Sequence, residues 1–214
     1  MEKTVSFNDS INISSQNKVM EGHLIIPEES QAIILFVDET GKVRQDERSL
    51  KIAEVLQHKG FATLFVDLLT PEESANPTDA MDIYKQSERI SDIRKWAEEN
   101  PQTEHLSAGL FSFGSGTASA LEAIANRDSK INAMVSLGGR PDLAFDALKR
   151  IDIPLLFICG DMDNANVVQH EKSLPYFNTS SKMEVLNDAG KGFTTPSAIN
   201  EVIKLSREWF IQHL

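Results

Sequence analysis

Leu110–Ala120, LFSFGSGTASA, decides how this chain folds. An apolar run suited to a buried strand stops at Gly114-Ser115-Gly116 and resumes as small and apolar residues suited to a helix. The stretch therefore reads as a strand passing through a sharp turn into a helix. Unbroken apolar runs recur on either side of it, at 32–37 (AIILFV), 62–68 (ATLFVDL), 106–111 (LSAGLF), 133–137 (AMVSL), 154–159 (PLLFIC) and 183–186 (MEVL). Runs of this length without polar alternation suit strands covered on both faces. Between them lie helical stripes. Ile52, Val55 and Leu56 mark a helix over 47–59 that stops at Gly60, and Ile90, Ile93, Trp96 and Ala97 mark one ending near Asn100–Pro101. Val202, Leu205, Trp209 and Phe210 mark a last helix opening near Pro196, with Trp96 and Trp209 read as core anchors. The alternation predicts one α/β domain over 1–214, a mostly parallel twisted sheet of about 7–8 strands in a three-layer sandwich. A short antiparallel pair, 4–7 with 19–26, opens the chain, and 70–78 (TPEESANPT) reads as a surface lid or connector.

Composition narrows the function classes. The 214 residues include 21 basic and 32 acidic side chains, a net charge of -11, with the basic ones interspersed. That is no surface for a nucleic-acid backbone, which needs clustered Lys and Arg. The longest apolar runs are too short to cross a bilayer, and the first ten residues lack a basic start followed by an apolar run, so a cytoplasmic protein with no membrane partner is expected. The single cysteine, Cys159, sits inside an apolar strand and reads as a buried thiol. No cofactor motif emerges: Gly114 and Gly116 follow a strand, but Ser119 stands where a dinucleotide fingerprint needs its third glycine, and Asn132 where it needs an acid.

Five segments in order, FATLFVDLLTPEE (61–73), GLFSFGSGTASAL (109–121), LGGRPDLA (137–144), IPLLFICGDMD (153–163) and the tail 192–214, resemble the dienelactone-hydrolase-like branch of the α/β-hydrolases. The likeness is to its small intracellular members, some of them fused to phosphoribosyltransferase domains, and it implies the α/β-hydrolase fold. It also implies Ser, Asp and His in that chain order, the Ser within G-x-S-x-G on the strand-to-helix turn. Carried over position by position, the acid falls on Asp163. The nucleophile falls on Gly114, the histidine on Lys191, and the His-Gly of the oxyanion motif on Asp38–Glu39.

These departures remove the chemistry together. Gly114 has no nucleophilic atom, and in a comparable triad enzyme loss of Ser or His costs roughly 10⁶ in turnover, about 8 kcal/mol. A lysine near its ordinary value of about 10.4 is protonated at neutral pH, and a neighbouring carboxylate keeps it so. An ion pair between Lys191 and Asp163 is therefore expected. Two readings follow. In the first, the chain is a noncatalytic relative whose turn, with the N–H groups of Ser115, Gly116 and Thr117 and the cations Lys191 and Arg140, binds a small anionic ligand or serves a protein partner. In the second, it is an active ester or lactone hydrolase using a displaced Ser112 or Ser115. Asp38, Glu39, Asp161 and Asp163 could meet at that edge as a hard-metal site, but without a spaced ligand motif solvated carboxylates, or pairing with Lys191 and Arg140, are expected instead. His23, His58, His105, His170 and His213 read as structural or surface residues, and the oligomeric state is left open.

Overall fold

The computed structural model describes residues 4–38, 42–177 and 180–214. The chain opens as an antiparallel hairpin, β1 (Val5–Ser15) and β2 (Lys18–Pro27), turned at Gln16 and Asn17, whose φ values are 50° and 60°. β1 is longer than the expected strand over 4–7. Its sequence is rich in Asn, Asp and Ser and looks like a loop, yet pairing with β2 satisfies its backbone and buries Ile13 and Ser15.

The six apolar runs form the parallel strands: β3 (Ala32–Val37), β4 (Phe61–Val66), β5 (Ser107–Phe113), β6 (Ile131–Leu137), β7 (Leu155–Gly160) and β8 (Lys182–Leu186). Together with the hairpin they make one eight-stranded sheet in the order β1-β2-β4-β3-β5-β6-β7-β8. Every residue of β3, β4 and β7 is buried. Alternate residues serve opposite layers, as the pleat requires. Ile33 and Leu35 belong to one core and Ile34 and Phe36 to the other, where Phe36 stacks between Phe65 and Phe111 at 4.7 and 5.2 Å.

Helices cover both faces. α1 (Glu47–His58) is capped by Asp46, whose carboxylate accepts from the N–H groups of Arg48 and Ser49. Two short helices follow, α2 (Pro71–Ala75) and α3 (Pro77–Ala80), then α4 (Ile83–Glu99), α5 (Gly116–Ile124), α6 (Phe145–Leu148), α7 (Asn164–Ser173) and α8 (Pro196–His213). The stripes of α4 and α5 fill the core that holds Ile33, and those of α1 and α8 fill the core that holds Ile34. Trp209 is buried in the second core, and Trp96 packs partly buried against the first. Among the described residues no helix is long and apolar enough to cross a membrane.

The stretch 70–78 is not a loop. Thr70 and Glu73 form a capping box at the start of α2, and Asn76 caps α3, so the proline-flanked segment winds into two short helices. Glu73 turns inward, where both carboxylate oxygens meet Arg89 of α4 at 2.7 and 2.8 Å and Lys85 approaches at 2.7 Å. Arg89, only 1% exposed, also donates to the Leu68 carbonyl. The segment is thereby bolted to α4.

The Arg89 guanidinium holds the Glu73 carboxyl well below its ordinary 4.5. A depressed carboxyl contributes stability that is complete above the unfolded value and is lost as pH falls through the folded one. Glu73→Ala should cost about 3–5 kcal/mol at neutral pH, because it leaves Arg89 buried and uncompensated. Urea melts of the variant should also show a shallower loss of stability below pH 4.5 than the native chain does.

Candidate functional site

β5 ends at Gly114, which has φ 53°, a left-handed conformation that strains any residue with a Cβ. Its N–H donates to the Leu137 carbonyl at 3.2 Å and its carbonyl accepts from the Thr117 N–H at 3.3 Å, so the turn is locked between β6 and the start of α5. Beneath it runs a buried chain of hydroxyls, Ser112 to Thr117 at 2.9 Å and Thr117 to Ser136 at 2.7 Å. Gly139 closes over that chain. A Cβ there would come within 2.2 Å of both the Ser136 and Thr117 hydroxyl oxygens.

This geometry corrects two expectations. Ser112 is fully buried and its hydroxyl belongs to the internal chain, so it presents no nucleophile. Thr117 is likewise buried, and its N–H is taken by Gly114, which removes it from the expected set of anion donors. Gly116 opens α5 but is buried and has an interaction partner within the chain. Ser115 remains. It is half-buried at the helix start, and its hydroxyl makes no capping hydrogen bond.

Two adjoining cavities meet over Gly114 and Lys191, which line both. The larger, about 580 Å³, is bounded by Asp38, Lys42, Asp46, Arg48 and Phe113. The smaller, about 390 Å³, is bounded by Ser115, Arg140, Asp163, Asn166 and Gln169. Asp38, Gly114, Ser115, Arg140, Asp163 and Lys191 are thus brought to one edge of the sheet; Glu39 lies outside the described residues. Asp163 caps α7, accepting from the Asn166 N–H. The segment carrying Lys191 is anchored on both sides, by Met162 N–H donating to Ala189 at 3.1 Å and by Arg48 donating to the Gly192 carbonyl at 3.2 Å.

The expected Lys191–Asp163 ion pair does not form. Both side chains border the smaller cavity, yet no contact within 4.0 Å joins them. Arg140 instead grips Asp142 through two bonds of 2.8 Å, which raises its guanidinium value and lowers that of the Asp142 carboxyl. The field of Asp163 adds to the first effect. Arg48 pairs with Asp46 and lies 5.6 Å above the Phe113 ring.

Among the described residues the cavities are bounded by four cations, Lys42, Arg48, Arg140 and Lys191, and three carboxylates, Asp38, Asp46 and Asp163. Arg140 is paired with Asp142 and Arg48 with Asp46, so the charges outside those two pairs are Lys42 and Lys191 beside Asp38 and Asp163. Lys42, Arg48, Asn166 and Gln169 escaped sequence reading, because each reads as an ordinary surface residue of a helix or connection. None of the five histidines borders either cavity. His170 is buried against Phe157 and its Nδ1 lies 2.9 Å from the Asn166 carbonyl oxygen, with burial lowering its value below the ordinary 6.5. Cys159 is fully buried and burial pushes its thiol up to about 12, so it supplies no nucleophile either. Among the described residues no group of three or more His, Cys, Asp and Glu is arranged to hold a metal.

The family profile of the dienelactone hydrolases matches residues 20–209. The chain belongs to the dienelactone hydrolase family. A dienelactone hydrolase from Anabaena variabilis is 35% identical and superposes with a TM-score of 0.91 over 97% of this chain and 98% of its own. Two Mycobacterium tuberculosis proteins that carry the provisional name phosphoribosyl transferase are 37% identical over 193 residues, 90% of this chain. The chain spans 44% of their length. Est1E from Butyrivibrio proteoclasticus, at 13% identity and a TM-score of 0.78 over 95% of this chain and 98% of its own, shares the fold.

Gly114→Ala should lower unfolding stability by about 1–3 kcal/mol, the cost of a Cβ at positive φ. Gly139→Ala should be worse, since its Cβ collides with the buried hydroxyl chain. Chemical denaturation of the two variants checks both the values and their order.

Proposed function

We propose that this family member has lost acyl transfer and binds a small organic anion over Gly114. One observation carries the reading: at the turn where the family presents a serine, a glycine opens onto cavities bordered by Lys191, which pairs with no carboxylate of the described residues. Removing the nucleophile removes the covalent step, and Lys191 stands where the family carries the histidine that shuttles the proton. The same substitutions favour a bound negative charge. Lys191 projects from a segment held at both ends and, among the described residues, meets no carboxylate within 4.0 Å, so an incoming carboxylate or phosphate displaces no partner found there. The surrounding acids limit the ligand to modest charge. Asp163, kept from the triad, serves here as the cap of α7.

Ester or lactone hydrolysis through Ser115 is the competing reading, favoured by the absence of a capping bond from its hydroxyl. Against it, no histidine borders either cavity to take the proton. A cytoplasmic setting fits a lone, buried thiol and completes the proposal.

Titration with acetate, benzoate and inorganic phosphate, followed by amide chemical shifts, should perturb Ser115–Gly116 and the 189–192 segment saturably. Lys191→Met should weaken that binding about tenfold or more, the range of a lost charge-assisted hydrogen bond. A fluorophosphonate probe should leave the protein unlabelled. Stoichiometric labelling of Ser115 with saturable ester cleavage would replace the binding reading by the hydrolytic one.

A further inference from the structure

The two cavities over Gly114 differ in what lines them. Phe113 and Leu137 border the larger, whereas Ser115, Arg140, Asp163, Asn166 and Gln169 surround the smaller, with Ala165 the one apolar side chain among the described residues of its border. A wall so rich in polar groups fixes a ligand by hydrogen bonds rather than by apolar contact.

Asn166, at the start of α7, is only 6% exposed. Its Oδ1 is buried without a partner, but its Nδ2 is not shut off in that way. Nδ2 lies beside the Gly138 turn, 3.9 Å from where a Cβ on Gly138 would stand, and no acceptor among the described residues takes its protons. Asp163 borders the same space. Its Oδ1 accepts from the Asn166 N–H at 3.4 Å, while its Oδ2 has no hydrogen-bond partner among the described residues. A donor lacking an acceptor thus stands on one cavity border with an acceptor lacking a donor, and the two do not reach each other within 3.5 Å.

A hydroxyl answers both, since it donates one hydrogen bond and accepts others. An ammonium only donates and leaves the Asn166 amide unmet, a methylene serves neither, and a donor left unmade at a buried site is costly. The charges on this border point the same way. Lys191 takes a carboxylate, Arg140 is already paired with Asp142, and the negative charge of Asp163 disfavours a second anionic group.

We propose that the ligand of this site is a small hydroxycarboxylate of the sugar-acid type, its carboxylate on Lys191 and a hydroxyl bridging Asp163 and Asn166. That ligand class rests on the anion-binding reading of the same cavities and narrows it. The side chains of Ser115 and Gln169 stand ready for further hydroxyls, and about 390 Å³ lies within the usual range for small-molecule sites.

Three six-carbon monocarboxylates separate the alternatives: gluconate carries hydroxyls, norleucine an ammonium, and hexanoate neither. Amide shifts at 115–116 and 189–192 follow the carboxylate, and those at 163–169 follow the hydroxyls. Gluconate should bind with a Kd of about 1 mM or tighter, and about tenfold or more tightly than either of the others. Asn166→Leu, close to isosteric, removes the open donor and the unmet buried acceptor together, so it should melt at or above the native temperature. It should bring gluconate down to the affinity of hexanoate and leave hexanoate unchanged, whereas Lys191→Met should weaken both. Equal binding of gluconate and hexanoate by the native chain, tighter binding of norleucine, or a folded Asn166→Leu that still prefers gluconate would overturn the hydroxycarboxylate and leave anion binding standing. No saturable shift at 115–116 and 189–192 with these three or with acetate, benzoate and phosphate would remove the anion site itself, and the ligand class with it.

Discussion

Parallel strands buried on both faces leave a protein only the ends of its sheet at which to meet a ligand, and the whole arrangement of this chain follows from that constraint. β3 through β7 are walled by α4 and α5 on one side and by α1 and α8 on the other. The turn from β5 into α5 must reverse direction within a few residues, while its backbone groups stay bonded to β6. Gly114 in the left-handed region does this without Cβ strain. The position that the fold makes most prominent is thus occupied by the residue with least to offer chemically.

Around that turn, polar groups divide by burial. Ser112, Thr117 and Ser136 form an internal chain under Gly139. Such a chain helps lock β5, α5 and β6 together, because each buried hydroxyl must find a partner. The charged groups stand outside it, at the carboxyl ends of the strands. Their pairings are local, Arg140 with Asp142 and Arg48 with Asp46, and each joins residues two apart in sequence. Sequence neighbours therefore satisfy one another and leave Lys191 facing the cavity with no carboxylate of the described residues within 4.0 Å.

The two arginines of α4 are held by different partners. Arg89 meets Glu73 across the chain and fastens α2 to the body. Arg94, five residues later, finds only a shared glutamate at 3.3 Å. Arg89 draws its carboxylate from α2 across the chain, whereas Arg94 draws its own from the next turn of the same helix.

Most of the architecture was legible in sequence, because apolar runs and helical stripes record burial directly: AIILFV, FATLFV and LLFICG can only be strands with two covered faces. The glycine turn at 114 was legible as well, since a turn motif is local, and the structure brings Asp163 and Lys191 to the same cavity. The hairpin strand β1 was read too short and 70–78 was read as a loop, because pairing partners and inward-turned caps lie outside any short window. Whether Lys191 meets Asp163, whether Ser112 is reachable, and which carboxylate Arg89 meets are questions of distance between residues apart in the chain. Packing alone answers them: a side chain's chemistry is written in the sequence, but its partners and its access to solvent exist only once the layers close.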